Sequence, residues 1–419
     1  MIKKNRSIVI VLLLSAIVRL VGLGLYPRGL SLSEVKLFSL TPFLVRLPFF
    51  VLGILSLYLF YLFLIKFTAN KKLSIVATII LSLTPWHFEL SRVYSLAMPV
   101  LTLFLLILLI LNAKNFQKVL LFLLSILSVI YFFSIFSFSD KLRTKVDAQR
   151  LNVSLISPPI ATKIFVNKLT VSFQEKLDTL SEGLDWGMYF FNGHPRERWG
   201  VEETQKFFAT TLIFIVIGFF LADKKKMILM IEIFCFFLLL SGIFGKYDQH
   251  LLLGTGIVFP YFASLAILFL GEDKKRRPLL FLLSIFYIFE LIYYGNLYFK
   301  NLGESRFSPR RGIYIDITGK VKTLRKDNER VVVNSRLIDP KPFFSFYLKD
   351  KNLDGFEFRE FNIWRENLKD GLFVDVLPDD PEPSEPLFKL STGGIDLIDI
   401  LFSQKDQGKN QTVYLYRYQ

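Results

Sequence analysis

The sequence predicts a multi-pass α-helical membrane protein of about nine transmembrane helices, followed by a small C-terminal α/β soluble domain. Of its 419 residues, 52% are hydrophobic and only 21% are charged. A soluble domain usually has a larger charged share, so this composition favours lipid as one of the solvents. The apolar residues also fall in long runs with charges between them. From about residue 300 onward, the composition is that of an ordinary soluble protein.

The apolar runs have the lengths expected of membrane-spanning segments, for which roughly 20 mostly apolar residues suffice. They cover residues 7–25, 46–65, 73–84, 96–111, 119–136, 207–221, 227–244, 251–270 and 279–294. The third and fourth runs are also compatible with a re-entrant pair. The predicted domains are therefore a transmembrane domain at 1–299, with a large external loop at 139–206, and a soluble domain at 300–419.

Compact basic clusters occupy every second loop. They are Lys3-Lys4-Arg6, Lys66 with Lys71-Lys72, Lys114 with Lys118, Lys224-Lys225-Lys226, and Lys274-Lys275-Arg276-Arg277. With nine alternating helices all five lie on one side, as the positive-inside rule requires. The net charge of +15 therefore indicates topology in a lipid bilayer and not nucleic-acid binding. We expect a protein of the cytoplasmic membrane with its N-terminus in the cytoplasm and its C-terminal domain on the external face.

The first run follows basic residues, as in a secretory signal peptide, but it is long and lacks a small-residue cleavage site. A retained signal anchor is the better interpretation. The single cysteine, Cys235, lies within the seventh run and cannot form an internal disulfide. The three histidines are far apart and there is no cysteine pair, so no metal site is predicted.

The external segments contain further predicted elements. Residues 170–184 are the best helical candidate of the large loop. In the C-terminal domain, alternation and β-branched content predict strands at 330–334 and 372–377, a helix or strand at 343–348, an amphipathic turn at 395–401, and an edge strand at 412–418. This is a small α/β arrangement.

Three short motifs lie at the ends of the first three apolar runs. They are Arg19-Leu20 with Leu23 and Pro27, then Arg46-Leu47-Pro48, then Thr84-Pro85-Trp86-His87 with Ser91-Arg92. A weaker fourth motif at 189–198 includes His194 and Arg198. In this order they resemble the polyprenyl-phosphate-dependent membrane glycosyltransferases of the GT-C class, in the branch of protein O-mannosyltransferases and aminoarabinose transferases. The resemblance covers about the first 220 residues in the right order, and a soluble C-terminal domain is also a common attachment in this family.

The resemblance implies a sugar donor linked to a polyprenyl phosphate, and a lipid, glycan or protein acceptor on the outer face. It neither requires nor excludes a divalent ion. The family places an Asp-Glu pair in the first outer loop, with Asp as the general base, and here that pair is Ser33-Glu34. A serine hydroxyl is too weak a base, so Glu34 becomes the catalytic candidate. Before the eighth run, where the family offers an arginine to the lipid phosphate, this chain has Lys246 and His250.

Each candidate also has a purely structural interpretation. Arg19, Arg46 and Arg92 fit substrate binding, through phosphate or a polar network, as well as snorkelling at the membrane interface. Trp86 and His87 fit a substrate cavity or an interfacial anchor. Glu34 fits catalysis or a solvated loop charge.

Three functions follow, in order of preference. The first is glycosyl transfer, in which Arg19, Arg92, Arg198 or Lys246 holds the leaving phosphate. The second is a catalytically degenerate relative that binds a lipid-linked glycan or scaffolds envelope assembly. The third is a secondary transporter, against which stand the missing internal repeat and the uneven external loops.

Overall fold

The fold is taken from a computed structural model of the whole chain. The structure describes residues 6–25, 32–37, 41–95, 97–110, 113–135, 140–154, 158–191, 205–244, 254–301, 313–326, 329–335, 340–350, 352–360, 371–378, 395–406 and 409–418. The chain divides into two compact units. The first joins Met1–Leu23 to Arg46–Leu297, and the second joins Gly24–Val45 to Tyr298–Gln419.

Among its described residues, the first unit contains helices and the turns that connect them, without a strand. Its helices are α1 (Arg6–Leu20), α3 (Pro42–Thr68, of which the first four residues belong to the second unit), α4 (Lys71–Leu83), α5 (Pro85–Leu90), α6 (Ala97–Ile110), α7 (Ala113–Ile135), α8 (Asp140–Ser154), α9 (Pro159–Phe165), α10 (Lys168–Gly183), α11 (Trp186–Phe190), α12 (Ala209–Leu221), α13 (Lys224–Phe244), α14 (Val258–Glu272) and α15 (Arg277–Asn296). A five-residue π-helical turn, Leu297–Asn301, follows α15.

Each of the nine apolar runs overlaps one of these helices. Five helical segments are both long and apolar enough to cross a membrane, namely Pro42–Thr68, Gln117–Ser134, Lys224–Ile243, Gly254–Glu272 and Arg277–Phe299. Two shorter apolar helices are Ala97–Ile110 and Ala209–Leu221. The chain is therefore helical, with several apolar helices that fit a membrane protein. Large apolar side chains on the outer surfaces of α1, α7 and α15 agree with this.

Local sequence explains how the chain turns between α4 and α5. Asn70 caps the start of α4, since its side-chain oxygen accepts a hydrogen bond from the Leu73 amide at 3.1 Å. Thr84 precedes a proline and is extended (φ −65°, ψ 133°), so α4 ends at Leu83. Pro85 then occupies the first turn of α5, where no amide donor is needed. All six residues of α5 are buried.

The region between α7 and α12 forms further helices. The predicted helix at 170–184 is confirmed as α10. Asn167 caps α10, because its Oδ1 accepts from the amides of Leu169 and Thr170 at 2.9 and 3.0 Å. A small core of Val146, Val166 and Val171 holds α8, the end of α9 and α10 together.

The second unit contains α2 (Leu32–Leu37), α16 (Ile313–Leu324), α17 (Pro340–Leu348), and the strands β1 (Val331–Asn334), β2 (Phe356–Arg359), β3 (Gly371–Pro378), β4 (Ile395–Asp406) and β5 (Lys409–Tyr418). The five strands form one sheet in the order β2-β1-β3-β5-β4. Strand β1 is parallel to β2 and β3, whereas β5 is antiparallel to both β3 and β4. The strands predicted at 330–334 and 372–377 are confirmed, and residues 343–348 are helical.

The core of the second unit includes a residue from the first outer loop. Val35 of α2 packs with Tyr314, Ile317, Val331 and Phe343 in one buried cluster. Tyr314 and Phe343 stack with ring centroids 4.5 Å apart. The segment 24–45, which the sequence placed with the transmembrane domain, is thus a structural part of the C-terminal unit.

Two predictions for the end of the chain are wrong. Residues 395–401 belong to strand β4 and do not form an amphipathic turn, and β5 lies inside the sheet between β3 and β4, not at its edge. The pairing of β4 with β5 shifts register between Leu397 and Asp399 and again between Ile400 and Phe402. Such irregularities interrupt the period-two alternation by which a strand is recognised in sequence.

Candidate functional site

Arg19 is the centre of a buried hydrogen-bond network in the first unit. It lies in the last turn of α1 and is 1% exposed. Its Nε donates to Ser91 Oγ at 3.0 Å, and its Nη2 donates to the Ser82 carbonyl at 2.7 Å. Nη1 donates to the hydroxyl of Ser15. Each of the three guanidinium nitrogens therefore has a partner within the protein, and Arg19 does not snorkel to water.

His87 joins this network through both ring nitrogens. Arg19 Nη2 lies 3.0 Å from Nδ1, and Ser56 Oγ lies 2.9 Å from Nε2. Since arginine can only donate, Nδ1 must accept and the proton must lie on Nε2. Ser56 Oγ accepts a hydrogen bond from this N–H, and the Ser56 hydroxyl donates one to the Gly53 carbonyl at 2.8 Å. The network therefore selects one neutral tautomer of His87.

The charge state of His87 agrees with this arrangement. Burial, and secondarily the positive charge of Arg19, lowers the pKa of His87 well below its usual value. Both causes disfavour the imidazolium form. His87 is thus a neutral imidazole held between a cation and a hydroxyl.

Arg92 and Arg46 act at the carboxyl end of α1. Arg92 Nη1 donates to the Arg19 carbonyl at 2.7 Å, and Arg46 Nη1 donates to the Leu23 carbonyl at 3.0 Å. Carbonyls at a helix end have no partner within the helix, and they attract cations. The second and third motifs therefore cap and fix the end of the helix that carries the first.

Two further contacts tighten the arrangement. The guanidinium carbons of Arg19 and Arg92 lie 5.4 and 5.2 Å from the centroid of the Phe88 ring, within cation–π range. A Cβ built on Gly53 of α3 would lie 2.4 Å from Ser91 Cβ. The absence of a side chain at Gly53 lets α3 approach the turn that carries Ser91 and Arg92.

Trp86 belongs to an aromatic cluster and not to an exposed interfacial belt. It is 4% exposed, and its ring packs against Tyr189 and Phe207 at centroid distances of 6.3 and 6.2 Å. Its backbone amide donates to the Lys206 carbonyl at 3.3 Å. These contacts anchor α5 to α11 and to the start of α12.

Glu34 lies in the first turn of α2, in the second unit, and is 1% exposed. The solvated-charge interpretation is therefore wrong, because the side chain is buried. The N-terminal turn of a helix is a favourable place for a carboxylate. The next residue, Val35, is fixed in the core of the same unit.

The remaining sequence candidates, His194, Arg198, Lys246 and His250, lie outside the residues that the structure describes. Among the described candidates, the structure brings Arg19, His87 and Arg92 into one network, with Arg46 at the same helix end. Glu34 belongs to the other unit. In the described part of the chain, no three His, Cys, Asp or Glu side chains gather where a metal ion could bind.

Two carboxylates of the first unit, the buried Glu89 and the half-buried Glu290, accept hydrogen bonds within the protein. Glu89 of α5 accepts a hydrogen bond from the Tyr294 hydroxyl at 2.9 Å. Glu290 of α15 accepts from the Thr210 amide at 3.2 Å, and so caps the start of α12, which has no side-chain cap of its own. A glutamate inside an apolar run indicates such a polar contact, but its partner cannot be read from the pattern.

An apolar cavity of about 310 Å³ lies among α4, α12, α14 and α15. Its lining includes Ile80, Phe214 and Ile267, together with the hydroxyl residues Thr211 and Tyr287. The Thr211 and Tyr287 hydroxyls are buried and have no hydrogen-bond partner among the described residues. Other helical hydroxyls, such as those of Thr78 and Thr102, donate to the carbonyl one turn earlier, at 2.7 and 2.8 Å. The cavity thus has an apolar wall with two polar positions available.

Comparisons with protein-family models, with curated proteins and with solved structures give no match to this chain.

Proposed function

We propose that the chain is a nine-span membrane glycosyltransferase that moves a sugar from a polyprenyl-phosphate donor to an acceptor on the outer face. The observation that carries this proposal is the meeting of the motifs. Arg19, Arg46 and the segment containing His87 and Arg92 are far apart in sequence, yet they join at the carboxyl end of α1. Motifs that follow the family's order and also meet in one place support the resemblance. The same motifs would support it less if they lay far apart in the structure.

In the proposed reaction, an acceptor oxygen attacks the anomeric carbon of the sugar. The bond from that carbon to the phosphate oxygen breaks, and its electron pair leaves with the phosphate. Glu34 takes the proton of the acceptor hydroxyl, because a carboxylate has suitable basicity and Ser33 does not. A buried carboxylate in a short helix is also held in a defined position, which general-base catalysis requires.

The developing phosphate charge needs cationic partners. The three guanidinium nitrogens of Arg19 are already hydrogen-bonded to Ser15, Ser82, Ser91 and His87. We therefore assign the phosphate to Arg198 or Lys246, with Arg19 and Arg92 as positioning residues. The polyprenyl chain is apolar and fits the cavity beside Ile80, Phe214 and Ile267, whose 310 Å³ is at the lower end of ligand pockets, roughly 300–1,000 Å³.

The experiment is sugar transfer by the purified protein, reconstituted in lipid, from a panel of polyprenyl-monophosphate sugars. Glu34→Gln keeps the shape of the side chain but removes its basicity, so we expect turnover to fall by about 100-fold or more with donor binding nearly unchanged. The matched control is Lys36→Gln, which changes an exposed charge on the same helix. Equal turnover of Glu34→Gln and the parent protein would exclude Glu34 as the base.

The chain-binding role of the cavity has its own test. Ile267→Phe fills the cavity, whereas Leu268→Phe adds the same volume at the next, equally half-buried position outside its lining. We expect only Ile267→Phe to weaken binding of a long polyprenyl-phosphate sugar, and neither variant to weaken binding of a water-soluble short-chain analogue. Equal binding of the long-chain donor by both variants would exclude the cavity as its site.

A second candidate function is binding of a lipid-linked glycan without catalysis. Ser33 at the family's base position favours it, as do the arginine nitrogens that are engaged within the protein. Donor binding with no turnover of any sugar in the panel is the outcome expected of this alternative.

A further inference from the structure

Helix α10 carries a row of apolar side chains that the protein leaves uncovered. Leu169, Phe173 and Leu177 recur every four residues and are 45%, 53% and 53% exposed. With 3.6 residues per turn, this spacing places them along one side of the helix. Residues 170, 174, 178 and 181 are exposed too, and they are polar (Thr170, Gln174, Asp178 and Ser181). The exposed surface of α10 is thus divided lengthwise into an apolar and a polar strip.

The uncovered apolar surface continues on the neighbouring helices. Ile164 and Phe165 at the end of α9 are 61% and 74% exposed, and Leu151 of α8 is 70% exposed. Three internal ties hold α8, α9 and α10 together: the valine core, the ion pair of Lys145 with Glu175, and a hydrogen bond from Arg150 Nε to the Val166 carbonyl at 2.8 Å. The apolar strip is therefore not the contact surface of this small assembly.

Contacts with two membrane helices fix where α10 lies. The Tyr131 hydroxyl, near the end of α7, donates to the Lys176 carbonyl at 2.6 Å. Gly242, near the end of α13, leaves space that the Tyr131 ring and Leu180 occupy, at 2.9 and 3.4 Å from its would-be Cβ. Both α7 and α13 contain segments long and apolar enough to span a membrane. Helix α10 thus packs against the last turns of two such helices.

The residues that contact α7 and α13, the apolar strip and the polar strip follow one another around α10. At about 100° per residue, Lys176 and Leu180, which contact α7 and α13, lie close beside Leu169 and Phe173 around the helix, and the polar strip lies farther round. The apolar strip therefore borders the side that faces the membrane helices. A helix of this kind, with a large apolar and a polar side, rests in the membrane interface with its apolar side a few ångströms into the acyl chains.

We propose that α8–α10 is an interfacial membrane-binding element, and that the apolar strip Leu169, Phe173 and Leu177 inserts into the lipid leaflet at the ends of α7 and α13. Its partner is a lipid surface. The proposal does not depend on glycosyl transfer, since it rests only on exposure, helical spacing and the contacts of Tyr131 and Gly242.

The test uses single cysteines in a Cys235→Ser background, because Cys235 is the only cysteine of the chain. Phe173→Cys lies in the apolar strip, and Gln174→Cys lies one residue on, in the polar strip. Each is labelled with an environment-sensitive fluorophore and reconstituted in phosphatidylcholine nanodiscs. Quenching is then measured with a nitroxide on a shallow acyl position and with a water-soluble quencher.

We expect the label at 173 to be quenched several-fold more by the lipid nitroxide than by the aqueous quencher, and the label at 174 to show the reverse. A second pair, Leu177→Cys and Asp178→Cys, repeats the comparison where the first pair fails to yield folded protein. Equal aqueous quenching at both positions would overturn the proposal. Protection of 173 from both quenchers would also overturn it, since the strip would then be covered by protein.

Discussion

Arg92 donates a hydrogen bond from Nη1 to the backbone carbonyl of Arg19 at 2.7 Å, across 73 residues of sequence. The side chain of one motif arginine thus binds the main chain of another. A cation at the carboxyl end of a helix is favoured by the helix dipole as well as by the bond itself. Arg19 donates to carbonyl and hydroxyl oxygens, Arg92 donates to backbone carbonyls, and both guanidinium groups lie over the face of Phe88, so each positive charge has electron-rich partners.

Replacement of Arg92 by lysine should destabilise the first unit. A lysine keeps the charge, but its single ammonium group cannot reproduce the geometry of the guanidinium donors. We expect a loss of about 1–3 kcal/mol, the usual cost of a disrupted buried hydrogen bond. Thermal unfolding in detergent, followed by Trp fluorescence, measures it. The control is Arg276→Lys, at a half-exposed surface position, and comparable stability of the two variants would contradict the capping role.

Gly53→Ala should also destabilise the first unit. The new Cβ would lie 2.4 Å from Ser91 Cβ, so α3 and the turn after α5 must separate. Overpacking of this kind costs roughly 1–3 kcal/mol. Gly295→Ala is the matched control, since nothing lies within 4 Å of its would-be Cβ, and alanine there should be neutral or slightly stabilising. A drop in melting temperature at Gly295 as large as that at Gly53 would argue against the close approach.

The stability of the first unit should fall in mild acid because of His87. The unfolded chain has a histidine pKa of about 6.5, and burial together with Arg19 holds the folded pKa well below it. The unfolded state therefore binds the proton first, and stability is complete above about pH 6.5 and declines below it, by at most about 1.4 kcal/mol per pH unit. Melting temperatures from pH 8 to pH 5 give the slope. His87→Gln should lack this contribution, whereas His194→Gln should retain it, and identical profiles for all three proteins would refute the assignment.

Val35→Asp should disrupt the second unit, although Val35 is remote in sequence from the rest of that unit. Its side chain packs with Tyr314, Ile317 and Val331, and an uncompensated carboxylate there costs about 3 kcal/mol or more. Limited trypsin digestion should cleave residues 298–419 several-fold faster in this variant. Lys36→Asp, one residue away and exposed, should digest at the parental rate. Equal digestion of the two variants would show that α2 is not part of that core.

The apolar helices of the first unit could be predicted from sequence because apolar runs and the charges between them are local signals. The same is true of β1, whose four residues are buried, and of β3, whose first four residues are buried. Strand β4 could not be found, since two register shifts remove its alternation. Helix α2 could not be assigned to the C-terminal unit, because the partners of its core residue Val35 lie more than 250 residues away in sequence.

For the candidate site, the arginines and His87 could be identified from their motifs, but their roles could not. Whether an arginine faces a ligand or a carbonyl depends on the path of the neighbouring chain, and Arg46 shows this through its bond to Leu23. Two serines of the network, Ser15 and Ser56, could not be identified in this way, whereas Ser91 belongs to the third motif. A single serine within an apolar helix is a weak signal of a polar network. Serines in both α1 and α3 are nevertheless consistent with one network around Arg19.

The second unit draws on both ends of the chain, with Gly24–Val45 and Tyr298–Gln419 separated by the helical unit. During synthesis, α2 emerges early and must wait for residues 46–297 before its core partners exist. At about 5–20 residues per second the delay is tens of seconds. The later strands therefore complete their sheet only after the apolar helices have been made, and Val35 stays without its core until then. Because of this order of translation, the C-terminal unit assembles late. It can do so only in chains whose preceding helices have been synthesised in full.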